Sequence, residues 1–170
     1  MVKALKAIAS EGNMHVMKDV TELLEHMAWQ VRASAVWALG CIAPCDDDHT
    51  IDVLIGMLDD DYGLVQLRAW NALRKVANEG NARVISSACA HSEHRAFQVR
   101  VEVAYLLGVI ARGDDPQARS ALDTLVNDHD EDVRHFAKKA LQLINGKGSP
   151  AKESSSFVCQ HIRKAKERFP

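Results

Sequence analysis

Three sets of residues have the types and spacing that chemistry requires. Cys41, Cys45 and His49 run as Cys-x3-Cys-x3-His, soft and borderline donors of the kind that hold zinc. Structural zinc sites use tighter ligand pairs, and two of them, so a helix-end Cys41 without metal is the better reading. His91 and His94 flank Ser92-Glu93 and have the chemistry to coordinate or to titrate. The chain's 8 His are scattered, however, and are expected on the surface or in packing. The third set is a series of acidic runs: Cys45–Asp48, Asp59–Gly63, Gly113–Pro116 and Asp128–Asp132. A calcium loop wants Gly at its sixth position and Glu at its twelfth. Counting from Asp59 these are Leu64 and Trp70, and from Asp128 they are Val133 and Lys139. Asp close to a helix start instead satisfies free N–H groups and suits the positive end of the dipole, so capping is expected. No P-loop, glycine-rich dinucleotide turn or G-x-S-x-G motif is present. The sequence therefore offers no catalytic residue, no cofactor site and no metal site, and predicts a chain that is not an enzyme.

The elements that carry these residues repeat. The phrase "ALGCIAP" at Ala38–Pro44 returns as "ALRKVAN" from Ala72, "LLGVIAR" from Leu106 and "ALQLING" from Ala140, and is preceded by "ALKAIAS" from Ala4. The spacing is 34 residues throughout. Extended leftward, each copy from the second onward begins at a Val: Val31, Val65, Val99, Val133. With that Val as position one, apolar or small residues recur at positions one, five, eight, nine and twelve, which share one face of an α-helix. Pro44, Asn78, Gly113 and Gly146 supply stop signals just beyond. A shorter second helix follows in each unit, with Val20, Leu54, Ala88 and Leu122 in equivalent places. A two-helix unit of this size cannot bury its apolar stripe alone, and stacking identical units does so. The fold class is therefore all-α: an α-solenoid of about four 34-residue helical hairpins.

The recurring frame D-x-x-V-R-x-x-A-x-x-A-L-x-x-I-A, fullest at Asp128–Asn145, resembles HEAT-like repeats of the short, phycobilin-lyase type. It does not match the W-x2-L-G-x2-Y pattern of tetratricopeptide repeats, which share the 34-residue period. The HEAT-like resemblance implies a protein-protein interaction scaffold or assembly subunit of a larger complex, with protein partners. It also implies a partnership between the frame's Arg (Arg32, Arg100, Arg134) and the loop Asp, broken where the second unit has Gln66. Two enzymes resemble this fold. Deoxyhypusine hydroxylase binds iron through repeated His-Glu pairs; the equivalent places here are Val101-Glu102 and His135-Phe136, and His-Glu occurs nowhere in the chain. A partner-dependent bilin-lyase-like subunit is the alternative function, although no residue marks a chromophore pocket.

Composition is that of an ordinary globular chain: 47% hydrophobic, 26% charged and 5% aromatic among 170 residues. No stretch of 18 apolar residues would span a membrane. Four cysteines form no disulfide framework, so an intracellular reducing compartment, the cytoplasm, is expected. The net charge of −2 is asymmetric: residues 1–145 carry 15 Lys+Arg against 21 Asp+Glu, and 146–170 carry 6 against 2. An acidic body argues against a phosphate-binding groove, which leaves weak nucleic-acid binding to the basic tail.

Residues 1–145 are expected to form the solenoid, with its first repeat truncated, 146–156 a flexible linker and 157–170 a basic amphipathic tail helix. The truncation predicts either a fragment of a longer array or an end covered by a partner. The tail is expected to dock through Val158, Ile162, Ala165 and Phe169 on the last first-type helix, where Leu141 and Ile144 leave an apolar flank bare. Second helices usually line the concave side of such stacks. That places Lys18, Glu22, Asp52, Ser86, Ser87 and Ser120 near a groove. Trp37 shares its frame position with Asn71, Tyr105 and Lys139. Trp37 and Tyr105 thus form a candidate contact patch, or else cover a helix junction. The segment Ala82–Ser92 is poor in large apolar residues and predicts a shallow depression or a weak helix.

Overall fold

The computed structural model describes residues 14–146. The expectations about the chain's first residues, the linker and the tail helix lie outside these. Eight α-helices follow one another among the described residues: α1 Met14–Glu22, α2 Trp29–Ile42, α3 Asp48–Gly56, α4 Gly63–Val76, α5 Ala82–Ala90, α6 Phe97–Ile110, α7 Pro116–Val126 and α8 Glu131–Gly146. Short 3-10 turns at Leu23–Glu25 and Met57–Asp59 extend α1 and α3. No helix among them is long and apolar enough to cross a membrane.

The helices form two layers. The Val-Arg helices α2, α4, α6 and α8 make one, and α1, α3, α5 and α7 the other. Between the layers runs the apolar stripe. Ala35, Ala69, Val103 and Ala137 at position five are all buried, as are Ile42, Val76, Ile110 and Ile144 at position twelve. Each unit borrows this core from its neighbours, which is why the pitch does not drift. The segment Ala82–Ala90 does form a helix, on Val84, Ile85 and Ala88, all buried.

Short polar residues at fixed offsets start the helices. Asp47, Asn81 and Asp115, one per unit, accept the backbone N–H of Thr50 at 2.8 Å, Val84 at 3.1 Å and Ala118 at 2.9 Å. Pro116 then opens α7 at the position where a missing N–H costs nothing. Asp46 (φ 60°) and Gly80 (φ 82°) take left-handed backbone and tie their units to the ones that follow. The N–H of Asp46 donates to Val76 O, and that of Gly80 to Ile110 O, both at 2.7 Å. The turns before the Val-Arg helices carry His26, Asp60, His94 and Asp128 in register. Each accepts the N–H two residues on, at 3.0, 2.9, 3.1 and 2.8 Å.

Frame arginines lock these turns. Arg32 forks onto Asp60 with bonds of 2.6 and 2.9 Å, and Arg100 onto Asp128 with 2.7 and 2.8 Å. The remaining guanidinium nitrogen of each takes two carbonyls of its own turn. Arg32 and Arg100 hold the Asp60 and Asp128 carboxyls below the usual carboxylate range. In the second unit Gln66 reaches only Asp60 O, at 2.6 Å, and the turn residue opposite is His94 rather than Asp. Both halves of that rung are replaced together.

The same alternation governs packing. A Cβ on Gly40 would lie 2.7 Å from Ala72 Cβ and 2.9 Å from Ala72 Cα; one on Gly108 would lie 2.9 Å from both Ala140 Cα and Cβ. Helices α2 and α4 therefore touch almost backbone to backbone, and so do α6 and α8. The frame position of Gly40 and Gly108 is Arg74 in the unit between, and opposite it stands Leu106 where the flanking units have Ala72 and Ala140. A large side chain on both sides keeps α4 and α6 further apart. The stack is two tight pairs joined at a looser middle seam.

Candidate binding surface

Across every junction the Val-Arg helices pack more closely than the second helices do. In a curved stack the closer-spaced layer lies inside, so α2, α4, α6 and α8 form the inner layer. The expectation that second helices line the concave side reverses for this reason. The segments carrying Lys18, Glu22, Asp52, Ser86, Ser87 and Ser120 belong to the outer layer. Of these residues Lys18, Glu22, Asp52, Ser86 and Ser120 are exposed, and Ser87 is half-buried. Asp52 sits 3.2 Å from Arg83, whose guanidinium also meets Asp48 at 3.1 Å. They make a polar outer wall and converge on no common site.

Three rows of side chains cover the inner layer: Ser34, Arg68, Glu102, Phe136; then Trp37, Asn71, Tyr105, Lys139; then Cys41, Lys75, Val109, Leu143. Trp37 and Tyr105 are thus on the inner surface, and both are half-buried. Tyr105 does more than shield a junction. The Arg74 guanidinium lies over its ring, 4.4 Å from the centroid, and Phe136 meets its edge at 6.3 Å. Arg74 also pairs with Glu102 at 2.5 Å and with the Asn71 side-chain oxygen. The middle seam is therefore filled by a charged and aromatic cluster with little exposure, 12% for the Arg74 side chain and 19% for Glu102. Comparing frame positions across units would have revealed Arg74, since it stands between Gly40 and Gly108 in one column. The apolar positions of the frame drew the eye instead.

Charge separates between the layers. The four inner helices carry 8 Lys+Arg and 3 Asp+Glu, a net of +5. The outer helices with their 3-10 turns carry 3 and 7, a net of −4. The acidic balance of the whole body, which argues against a phosphate-binding groove, thus does not describe the inner surface.

The remaining chemistry-bearing residues stand apart from this surface. His91 lies against buried Trp70, ring centroids 5.5 Å apart, and its Nδ1 meets Ser87 O at 2.8 Å and its Nε2 Asp59 at 3.2 Å. His94 is 6.4 Å away, centroid to centroid. Cys45 is exposed, beyond the half-buried Cys41 of the inner rows. Burial, and then the charge of Asp115, push the Cys89 thiol up to about 11. No three His, Cys, Asp or Glu side chains gather as metal ligands among the described residues.

The end of the stack also differs from expectation. At frame positions three, six, ten and thirteen, which face the next unit, α2 has Ala33, Val36, Gly40 and Ala43. Helix α8 has His135, Lys138, Gln142 and Asn145, all exposed, while Ile144 is buried and Leu141 half-buried. On that side α8 presents a polar face, and the docking expected of Val158, Ile162, Ala165 and Phe169 lies outside the described residues.

No family model matches the chain, and no curated protein matches it. Solved structures do. An engineered protein is similar over 87% of this chain and 68% of its own, with 22% identity and a TM-score of 0.63. A designed armadillo repeat protein in complex with the peptide (KR)4 is similar over 99% of this chain and 91% of its own, with 20% identity and a TM-score of 0.57. At these identities the likeness concerns the fold, and the fold is an all-α solenoid of stacked helical repeats.

Proposed function

We propose that this chain is a non-catalytic protein-binding scaffold, a HEAT-like solenoid that holds its partner along the inner layer of α2, α4, α6 and α8. The observation that carries the reading is the inner surface itself. Half-buried Trp37, Tyr105 and Phe136 alternate there with polar and charged residues, the mixture that anchors protein interfaces. The Arg32–Asp60 and Arg100–Asp128 rungs favour the HEAT-like assignment, because they join the frame's Arg to the loop Asp as that resemblance implies. A solenoid similar to this one is in complex with a peptide, which fits the same use of the fold. The absence of any catalytic motif in the sequence favours a scaffold over an enzyme subunit.

Affinity capture tests this with paired variants. Trp37→Ala and Tyr105→Ala, on the inner layer, are expected to lose a partner that the parent chain retains. Asp52→Ala and Ser86→Ala, on the outer layer, are expected to keep it. Loss through the outer pair with retention through the inner pair would sink the proposal.

A further inference from the structure

We infer that the inner layer takes an acidic peptide segment: an extended stretch of a partner protein bearing carboxylates interspersed with large apolar side chains. This rests on reading the inner layer as the binding face. The argument is charge complementarity. The rows of that layer carry half-buried Arg68 and exposed Lys75 and Lys139, and Arg68 and Lys75 have no carboxylate partner among the described residues. Glu102, the acid in those rows, is already neutralised by Arg74. The outer layer is net negative and repels the same segment, so the two layers together direct it to one side.

The spacing between cations is apolar rather than empty. On these inner helices Leu64 and Leu143 are each about two-fifths exposed, and Trp37, Tyr105 and Phe136 are half-buried. A segment with carboxylates alone would leave these uncovered, whereas one that alternates carboxylates with apolar side chains covers both. Nucleic acid fits less well. Tight phosphate binding draws on roughly 6–10 basic contacts, and these rows offer three, separated by aliphatic groups that no phosphate satisfies. A (KR)4-type peptide, as in the designed armadillo complex, would meet like charge here.

The test is fluorescence anisotropy on the full chain with three labelled probes: a peptide of alternating Glu and Leu, a Lys-Arg repeat peptide, and oligothymidylate. The Glu-Leu peptide is expected to bind, and to bind less well as salt rises. Arg68→Glu combined with Lys75→Glu is expected to weaken it about tenfold or more. Lys139→Glu alone should weaken it less, and Lys18→Glu, on the outer layer, should leave it unchanged. Circular dichroism melting confirms that each variant folds; Lys75, Lys139 and Lys18 are exposed and Arg68 is half-buried. No binding of the Glu-Leu peptide overturns the inference, as does binding that ignores the inner variants. Tighter binding of oligothymidylate or of the Lys-Arg peptide overturns it as well. If the Glu-Leu peptide fails while Trp37→Ala and Tyr105→Ala still lose a captured partner, the scaffold reading stands and only the acidic specificity falls.

Discussion

Replacing Gly108 with Ala should destabilise the protein, although Ala is the better helix former. A Cβ there would lie 2.9 Å from Ala140 Cα and Cβ, and the Cα cannot swing aside as a flexible side chain would. Helices α6 and α8 must separate, and overpacking of this kind costs about 1–3 kcal/mol. Helix propensity returns about 1 kcal/mol. Because the clash is with backbone, the cost falls in the upper part of its range, and the net loss is about 1–2 kcal/mol. At ~2–4 °C per kcal/mol for a chain of this size, Tm falls by roughly 2–8 °C. Gly40→Ala, 2.7 Å from Ala72 Cβ, should behave alike. Gly56→Ala is the control. Its Cβ would meet nothing within 4 Å and its backbone is right-handed helical, so it should gain about 0.5–1 kcal/mol. Thermal and urea melts followed by circular dichroism decide the matter. If Gly108→Ala raises Tm as Gly56→Ala does, the close approach of the inner helices is refuted.

Arg100→Gln, which copies the residue at Gln66, should destabilise the protein at neutral pH. The folded Asp128 carboxyl sits below its ordinary value because of Arg100, so its stabilising effect is full above about pH 3.9 and fades as pH falls through the lower folded value. Urea midpoints measured across this range should therefore show wild type and variant converging at acid pH; a constant gap would contradict the rung's electrostatic character. Cys89, pushed up to about 11, should alkylate far more slowly at pH 8 than exposed Cys45 in peptide-level mass spectrometry. Equal rates would mean that the α5 surface opens. Lys138→Val with Gln142→Gly gives α8 the kinds of residue that internal units use and should make the chain associate through that end, visible as a higher mass in light scattering. A variant that stays at the parent's mass would show that the polar face is not what blocks stacking.

The inner helices were legible because their signal is redundant. Four copies of Val-Arg-x-x-Ala in register fix both the helix and the buried side, as the burial of Ala35, Ala69, Val103 and Ala137 shows. The caps were legible for a similar reason: Asp47, Asn81 and Asp115 stand just before a second helix at one spacing. Curvature was not. Which layer is inner depends on how close two helices approach, and that is set by Gly40 against Ala72, a pair whose meaning appears only once the helices face each other. The helices carrying Lys18, Asp52 and Ser86 were placed on the inner side for that reason, whereas Trp37 and Tyr105 belong to the inner rows. Net charge misled in the same way, since a sum over the chain cannot record that the inner helices are basic and the outer ones acidic. The polar flank of α8 was in principle readable, from Lys138 and Gln142 in columns that elsewhere hold Val36 and Gly40.

The alternation of tight pairs and open seam sets a rule for lengthening or shortening the array. The visible period is 34 residues, but Gly40 and Gly108 share their notch at twice that interval. Excising a single unit, residues 61–94, would slide Leu106 into the place of Ala72, and a Leu side chain cannot enter a gap where even a Cβ on Gly40 would come within 2.7 Å. Excising or duplicating two units returns Ala to Gly and leaves every interface of a kind that already exists. The interchangeable module of this protein is the four-helix block, so splicing by 68 residues should yield folded variants where splicing by 34 yields frustrated ones.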